Sequence, residues 1–132
     1  MSKRRRSREV ALSLIYQMEI KEDWTIAEKT EIIKKLAKGD GYISDYTIKI
    51  IESVINNKVR IDDLIANNSQ NWSFDRISII DKSILRMAIS ELFMSTPKTA
   101  VINEAIEIAD KYGEKDSKSF INGILDTIAF NL

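Results

Sequence analysis

The sequence predicts an all-α protein with six or seven helices in one bundle-like domain. Apolar residues recur at helical spacing along the chain, and no segment of strand length alternates strictly between apolar and polar residues. Only four Gly and one Pro interrupt the 132 residues, so the many tight turns of a β protein are not expected. The length suits a single domain, residues 1–132, because domains commonly contain roughly 100–150 residues.

The first helix is expected over about residues 4–20, where the apolar positions fall on one face. This stripe consists of Val10, Ala11, Leu14, Ile15 and Met18. Residues 25–28 resemble a capping box that opens a weaker second helix. That helix is expected to end near Lys38, with Gly39 as its stop.

A third helix is expected over about residues 43–56, followed by a short fourth helix. The adjacent Asp62 and Asp63 are interpreted as its start, since negative charge there favours the helix dipole. A catalytic carboxylate pair is the less favoured alternative. Trp72 and Phe74 are placed in a polar connector.

A strong helical pattern covers residues 76–94, with a break near residues 79–80 left open. Pro97 ends this helix, because the residue before a proline avoids the helical region. Thr99 is expected to cap the next helix, and Gly113 to stop it. The pattern therefore indicates two further helices in the last third of the chain.

Composition argues against an enzyme. The chain contains no Cys and no His, which removes disulfides, thiolate metal sites and the commonest catalytic bases. No glycine-rich phosphate loop and no nucleophile with an adjacent base is present. We therefore expect no catalytic residues, no cofactor and no metal.

The apolar segment 10–16 superficially resembles part of a signal peptide. Charged residues follow it directly, however, and no small-x-small cleavage site is present. No apolar run approaches the ~18 residues that cross a membrane. The sequence predicts a soluble cytoplasmic protein without membrane attachment.

Positive charge is concentrated at the N-terminus. The net charge is zero, yet five of the 20 basic residues lie within the first eight positions. They are Lys3, Arg4, Arg5, Arg6 and Arg8. In a helix Arg4 and Arg8 are one turn apart with Arg5 nearby, so several guanidinium groups are expected along one side. This pattern favours a local nucleic-acid contact, and a solvated, frayed terminus is the alternative.

Two aromatic residues are candidates to complete such a surface. Tyr16 lies two turns beyond Arg8, and Phe120 opens the last helix, which is expected to begin near Ser117. A ring beside basic and hydroxyl groups can stack an unpaired base. Core packing is the alternative for both rings.

Two asparagines lie inside the last two helices. Asparagine lowers helix propensity, so each position needs a reason. A buried amide that joins neighbouring helices is the expected role of Asn103. Asn122 has either the same role or faces RNA.

Several segments of the sequence carry a joint signal: RRRSREVAL and LIY within residues 4–16, ILRMAISEL at 84–92, VINEAIEIA at 101–109, and YG, DS and FINGILD within 112–126. Together they resemble the NusB family of bacterial transcription antitermination factors. The matches occur in the expected order and span nearly the whole chain. Residues 21–42 match little, and Ser53 stands where the family often has glycine.

The resemblance implies a fold of two packed helical subdomains and a role in processive antitermination during ribosomal RNA synthesis. It implies pairing with the ribosomal protein NusE, binding of single-stranded boxA RNA and association with the transcription elongation complex. The RNA-binding residues that it implies are Arg4, Arg5, Arg6, Arg8, Tyr16, Asp116, Ser117, Lys118 and Phe120. Asp116, being acidic, is expected to temper affinity, and Asp81 is expected to face NusE. Whether the chain forms a homodimer is left open.

Two other functions remain at this stage. One is a helical protein-interaction module whose arginines recognise an acidic partner. The other is an RNA-binding portion related to ribosomal RNA cytosine methyltransferases. The chain has neither a cofactor-binding α/β segment nor a Cys nucleophile, which argues against an independent methyltransferase.

Overall fold

The described part of the chain is entirely helical. The structure is a computed structural model that describes residues 2–69 and 73–132, so the expectation for Trp72 lies outside the described residues. Within these ranges a 3-10 turn covers Phe74–Arg76 and no strand occurs. The α-helices are α1 (Lys3–Lys21), α2 (Lys29–Leu36), α3 (Gly41–Asn56), α4 (Lys58–Asn68), α5 (Ile79–Phe93), α6 (Lys98–Tyr112) and α7 (Ser117–Phe130). The all-α prediction is confirmed.

The helices form two groups around α5. In the first group α1 packs on α3, and α3 also contacts α2. In the second group α5, α6 and α7 pack on one another, and α4 lies beside α5 and α7. Helix α5 contacts α1 and α3 as well, so it belongs to both groups. One apolar cluster is continuous through the helices of both groups. This matches the arrangement of two helical subdomains that the resemblance implies.

Side-chain caps define where three helices begin. Ser2, Asp40 and Ser78 each accept the backbone N–H of the third residue after them, at 3.0, 3.1 and 3.2 Å. Such caps commonly stabilise a helix by ~1 kcal/mol. Ser78 separates α5 from the preceding 3-10 turn, which confirms the break near residues 79–80.

The second helix begins later than the sequence indicates. The expected capping box at residues 25–28 is wrong, because the Thr25 hydroxyl donates to Asp23 Oδ1 at 2.8 Å and α2 begins at Lys29. At its other end α2 stops at Leu36, and the left-handed positions beyond it are Lys38 and Gly39. Residues 25–28 therefore form part of the turn before α2 and not the first turn of that helix.

Asp62 does not cap a helix. Helix α4 begins at Lys58, and both carboxylate oxygens of Asp62 accept from the guanidinium of Arg86, at 2.8 and 3.1 Å. Arg86 is fully buried and also donates to Glu19 at 2.8 Å. A buried cation requires such partners because its desolvation is costly. The capping interpretation of Asp62 is therefore wrong, and its role is to neutralise Arg86.

Asn103 faces outward rather than into the core. The buried positions of α6 are Val101, Ala105, Ile108 and Ala109, and Asn103 lies on the other face, where it is exposed. The expected buried amide at this position is wrong. Asn122, on α7, is partly buried.

Candidate nucleic-acid interface

The basic N-terminal segment is helical, but its guanidinium groups point in different directions. The contacts are Arg4 Nε to the Tyr42 hydroxyl at 3.1 Å, Arg5 to Glu104 and Glu107, Arg6 Nη2 to the Leu36 carbonyl at 3.2 Å, and Arg8 to Glu91. These partners lie on α3, α6, the end of α2 and α5. The expectation that several arginines line one side of α1 is therefore wrong.

Arg8 is buried and forms an internal ion pair. It is 3% exposed, and its Nε and Nη2 each donate to Glu91 at 2.8 Å. Burial by itself lowers the pKa of Arg8, but the bonds to Glu91 outweigh it and raise the pKa above the usual arginine value. The charge is thus retained and internally neutralised. Direct contact of Arg8 with RNA, as expected from the sequence, does not fit this position.

Arg5 makes its contacts with α6. Its guanidinium pairs with Glu104, which is partly buried, and with Glu107, which is largely exposed. An anion that binds Arg5 from solution must therefore take the place of a carboxylate. The Glu107 carboxylate is exposed and its pair with Arg5 is weak, so its replacement by a phosphate costs little.

Glu9 ties α1 to the end of α6. Its Oε2 accepts from Lys111 Nζ at 2.7 Å and from the Tyr112 hydroxyl at 2.9 Å. Burial raises the pKa of Glu9, but these two donors outweigh burial, and the net effect is a lowered pKa. Because Glu9 lies one turn after Arg5, α1 runs alongside α6 towards the beginning of α7.

The junction of α6 and α7 is closely packed around Gly113. A Cβ atom there would lie 2.6 Å from both Cβ and Oγ of Ser117, so only glycine fits. Ser117 is buried, and its hydroxyl accepts from the Glu114 N–H at 2.9 Å and donates to Asp81 Oδ1 at 2.7 Å. The sequence placed Ser117 among RNA contacts, and the structure shows its hydroxyl holding the junction together.

Asp81, the residue expected to face NusE, lies against this junction. It occupies the first turn of α5 and is partly buried. Burial raises its pKa above the usual aspartate value, although the bonds from Ser117 and Ser78 act in the opposite direction. The residues implied for NusE and for RNA therefore meet at one place.

A cleft of about 420 Å³, which we call the Phe120 cleft, opens between the 3-10 turn and the start of α7. It is lined by Arg76, Ile77, Ser78, Asp81, Glu114, Lys115, Asp116, Ser117 and Phe120. The Phe120 ring is partly buried and packs against the core. Arg76 and Lys115 are exposed, and neither has an ion-pair partner among the described residues. The cleft therefore places two available cations beside an aromatic ring.

Sequence reasoning did not identify these two cations as site residues. The sequence pattern places Arg76 at the start of the fifth helix, far from Phe120 along the chain. Lys115 lies in the polar turn before the last helix, where its neighbours along the chain do not distinguish it from a solvated lysine. The one sequence signal was the position of Arg76 just before the cap residue Ser78, since residues before a helix start commonly lie on loops.

The remaining candidates are exposed to different extents. Asp116 precedes α7 and makes no capping bond with its side chain. Lys118 pairs with Asp110 at 3.1 Å, and both are exposed. The Tyr16 ring is 38% exposed and lies two turns after Glu9 on the same face of α1. The side of the molecule that includes Arg5, the end of α6 and the start of α7 thus retains most of the expected residues.

The described residues contain no group of three or more acidic side chains positioned to hold a metal ion. None of the helices in the same residues is long and apolar enough to cross a membrane.

Comparisons with known proteins identify relatives along the whole chain. The NusB family profile matches residues 5–130. The transcription antitermination protein NusB of Geotalea uraniireducens (strain Rf4) is 37% identical over 142 residues, which cover 98% of this chain and 95% of that protein. The solved structure of T. maritima NusB has a TM-score of 0.85 and 33% identity, covering 98% of this chain and 92% of that one.

A complex of the antitermination factors NusB and NusE with dsRNA contains a chain of the same fold. Its TM-score is 0.83 at 20% identity, and the match covers 100% of this chain and 99% of that chain. The match to the family profile and the identity with the G. uraniireducens protein extend over nearly the whole sequence. The chain belongs to the NusB family.

Proposed function

We propose that this chain is a transcription antitermination factor that pairs with NusE and binds single-stranded boxA-type RNA. In this role it supports processive transcription of ribosomal RNA operons, in the cytoplasm, as part of the transcription elongation complex. Residues 1–132 act as one RNA-binding domain. The observation that supports this proposal best is the Phe120 cleft, where Arg76 and Lys115 flank an aromatic ring. Support also comes from the similarity to an antitermination protein and to a chain solved with NusE and dsRNA.

The chemistry of the cleft suits an unpaired base. The Phe120 ring offers a face for stacking, which requires a base that is free of its complementary strand. Arg76 and Lys115 supply cations for the adjoining phosphates, as in other single-strand binders. The acidic neighbours Glu114 and Asp116 limit the positive potential of the cleft and temper its affinity.

From the Phe120 cleft the bound RNA strand is proposed to continue towards the first turns of α1. Tyr16, Lys118 and Arg5 are the contacts proposed on this route, and Arg5 exchanges its glutamates for a phosphate. Arg4 and Arg6 lie at the far end of the same route. Arg8 and Ser117 act indirectly, because one holds α1 on α5 and the other holds the junction of α6 and α7.

NusE is proposed to lie against the beginning of α5. Asp81 is only partly buried, and its carboxylate, which already accepts from Ser117, has further lone pairs for a basic side chain of the partner. Because Asp81 also lines the Phe120 cleft, NusE and RNA are expected to bind next to each other. Such contiguity explains how one partner strengthens the binding of the other.

The bound RNA is proposed to remain chemically unchanged, because the chain acts as an adaptor rather than as an enzyme. The Ser117 hydroxyl, which the cleft pairs with the Asp81 carboxylate, is buried and is held between Asp81 and the Glu114 N–H, so it serves the packing of the junction. RNA recovered after incubation with the protein should have its original length and mass. Cleaved or methylated RNA would contradict this part of the proposal.

The test is RNA binding measured over a range of salt concentrations, with and without NusE, for boxA and for a scrambled sequence. We expect boxA to bind more tightly than the scrambled RNA once NusE is added. Arg76→Ala and Lys115→Ala should each weaken binding and lower the slope of log affinity against log salt by about 0.7. Lys35→Ala, which removes an exposed lysine on α2, is the matched control and should leave the slope unchanged. Equal binding of both RNAs, or unchanged slopes in the cleft variants, would contradict the proposal.

A further inference from the structure

A second cleft lies on another side of the N-terminal turn of α1. We call it the tyrosine cleft; it has a volume of about 650 Å³ and lies between α3 and the loop that joins α5 to α6. It is lined by Arg4, Tyr42, Tyr46, Lys49, Glu52, Met94, Ser95, Thr96 and Pro97. A volume of this size is within the range of sites that hold small organic groups. None of the RNA-binding residues implied by the resemblance lies in it except Arg4.

The rings of Tyr42 and Tyr46 are stacked on each other, and we call this pair the aromatic step. Tyr42 and Tyr46 are one helical turn apart on α3, and their rings are parallel within 8° with centroids 6.3 Å apart. Tyr46 is buried and its hydroxyl donates to Glu91 at 2.5 Å, which fixes this ring from beneath. Tyr42, in contrast, is 48% exposed. An exposed ring on a rigid base can bind a flat ligand with little loss of side-chain freedom.

Arg4 orients the exposed ring. Its guanidinium carbon lies 4.9 Å from the centroid of the Tyr46 ring, and its Nε donates to the Tyr42 hydroxyl at 3.1 Å. An arginine in this position leaves the other N–H groups of its guanidinium available to an anion. The aromatic step is therefore joined directly to a cation.

Lys49 adds a second positive charge to the cleft. It is exposed, lies one turn after Asp45 and Tyr46 on α3, and forms no ion pair with any described residue. Glu52 is the one acidic residue of the lining, so the cleft carries a net positive charge. A flat π face beside two cations matches a nucleobase with its flanking phosphates.

We propose that the tyrosine cleft is a second nucleotide subsite, in which an unpaired RNA base stacks on Tyr42 while Arg4 and Lys49 contact the adjacent phosphates. This inference rests on the proposed RNA-binding function and extends it to a longer strand. Arg4 and Arg5 are neighbours on the first turn of α1, and they face α3 and α6 respectively. A strand that follows α1 from the Phe120 cleft to Arg5 therefore reaches the tyrosine cleft after passing that turn.

The test compares a boxA RNA with the same RNA extended by about six uridines, placed at either end in turn. The wild-type protein should bind one of the extended RNAs more tightly than boxA alone. The expected gain is about tenfold in affinity, and Tyr42→Leu should remove most of it, because leucine offers no flat face on which a base can stack. Tyr42→Phe retains the ring and should retain most of the gain. Lys49→Ala should lower the salt slope by about 0.7 for the extended RNA alone.

Phe130→Leu is the matched control, because this ring is 88% exposed near the end of α7, outside both clefts. It should change the affinity for neither RNA. If boxA binds but extension adds no affinity, or if Tyr42→Leu keeps the gain, the second subsite is refuted while the proposed function stands. If boxA itself fails to bind, the proposed function is refuted instead.

A second measurement keeps the subsite testable in that event. Short oligouridylate added to the protein alone should shift the ring protons of Tyr42 upfield in NMR spectra, because a stacked base shields them. Unshifted Tyr42 signals at saturating oligouridylate would overturn the inference. It would also be overturned if an unrelated peptide, added as a competitor, reversed the Tyr42 shift while a competing RNA did not.

Discussion

Glu9 is a buried carboxylate whose ionised form is stabilised by two donors from α6. Burial raises its pKa, the bonds from Lys111 and Tyr112 lower it, and the net pKa lies below the ordinary value of 4.5. A group whose folded-state pKa is depressed stabilises the protein above its unfolded-state pKa. That contribution disappears as the pH falls through the folded-state pKa.

We therefore expect Glu9→Gln to lower the free energy of unfolding by about 1.5–3 kcal/mol at pH 7, the usual contribution of a hydrogen bond to a charged group. The difference from the wild type should shrink as the pH falls below 4.5, because the wild-type carboxylate becomes protonated. Urea denaturation at pH 7 and pH 3 measures both values. Glu52→Gln, on the exposed face of α3, is the control with an expected change within about 0.5 kcal/mol. A difference for Glu9→Gln that stays constant with pH would contradict this account.

Single-residue roles were the least predictable from the sequence. The sequence shows which residues near the two ends of the chain are basic, acidic or aromatic, but not what each of them contacts. It did not indicate that Arg8 would be buried on Glu91, because this partner is 83 residues away and no local pattern records the pairing. The same holds for Asp62, whose neighbouring sequence suits a helix start while its carboxylate serves Arg86.

At the scale of secondary-structure elements, the close packing of α6 on α7 depends on the absence of a side chain at Gly113. Gly113 has ordinary extended backbone angles, so its importance is steric and not conformational. The Ser117 hydroxyl occupies the space that a Cβ atom would need, and this hydroxyl holds Asp81. A methyl group there must push α7 away from α6 or turn Ser117 out of its bonds.

Gly113→Ala should therefore destabilise the protein by about 1–3 kcal/mol, as overpacking of a close contact commonly does. It should also weaken RNA binding, because the lining of the Phe120 cleft begins at the next residue. Thermal unfolding and RNA titration of the same variant measure the two effects.

Gly123→Ala is the matched control for this prediction. Gly123 is exposed within α7, and apart from the neighbouring backbone of its own helix nothing lies within 4 Å of the position that a Cβ atom would take. Alanine should stabilise the helix there by about 0.5–1 kcal/mol, so the same substitution has opposite signs at the two sites. Stabilisation by Gly113→Ala would refute the steric explanation.

Most elements were predictable from their apolar stripes, but the cap expected at Thr99 is wrong, because α6 begins at Lys98 without a side-chain cap. Helices α3, α5 and α7 begin within a few residues of the expected positions, and the break before α5 follows from the Ser78 cap. Helix α2 was misplaced at its start, since the pattern of residues 25–28 is compatible with both a capping box and a turn. Phe120 was predicted as a residue of the cleft that bears its name, but Arg76 was not, because the packing of elements distant in sequence brings Arg76 there.

At the scale of the whole molecule, α1 joins the two groups of helices by buried ion pairs. Arg8 pairs with Glu91 near the C-terminal end of α5, and Glu19 pairs with Arg86 in the middle of that helix. Removing one partner of such a pair leaves an uncompensated buried charge. The N-terminal helix is consequently structural over much of its length, whatever it binds.

Arg8→Ala should lower the free energy of unfolding by about 3–5 kcal/mol, since Glu91 would remain buried without its cation. The double variant Arg8→Met with Glu91→Leu should recover much of this loss. Arg5→Ala, which breaks a more exposed pair, should cost no more than about 1 kcal/mol. Chemical denaturation separates the three variants. Normal stability of Arg8→Ala combined with weak RNA binding would show instead that Arg8 contacts the ligand.

The ion pairs of α1 also have a consequence during translation. The glutamates that engage Arg5 lie 99 and 102 residues further along the chain. At about 5–20 residues per second, a ribosome makes them roughly 5–20 s after Arg5. Throughout that interval Arg5 has no glutamate to neutralise it, so the N-terminal segment of the nascent chain carries more unpaired positive charge than the same segment of the folded protein.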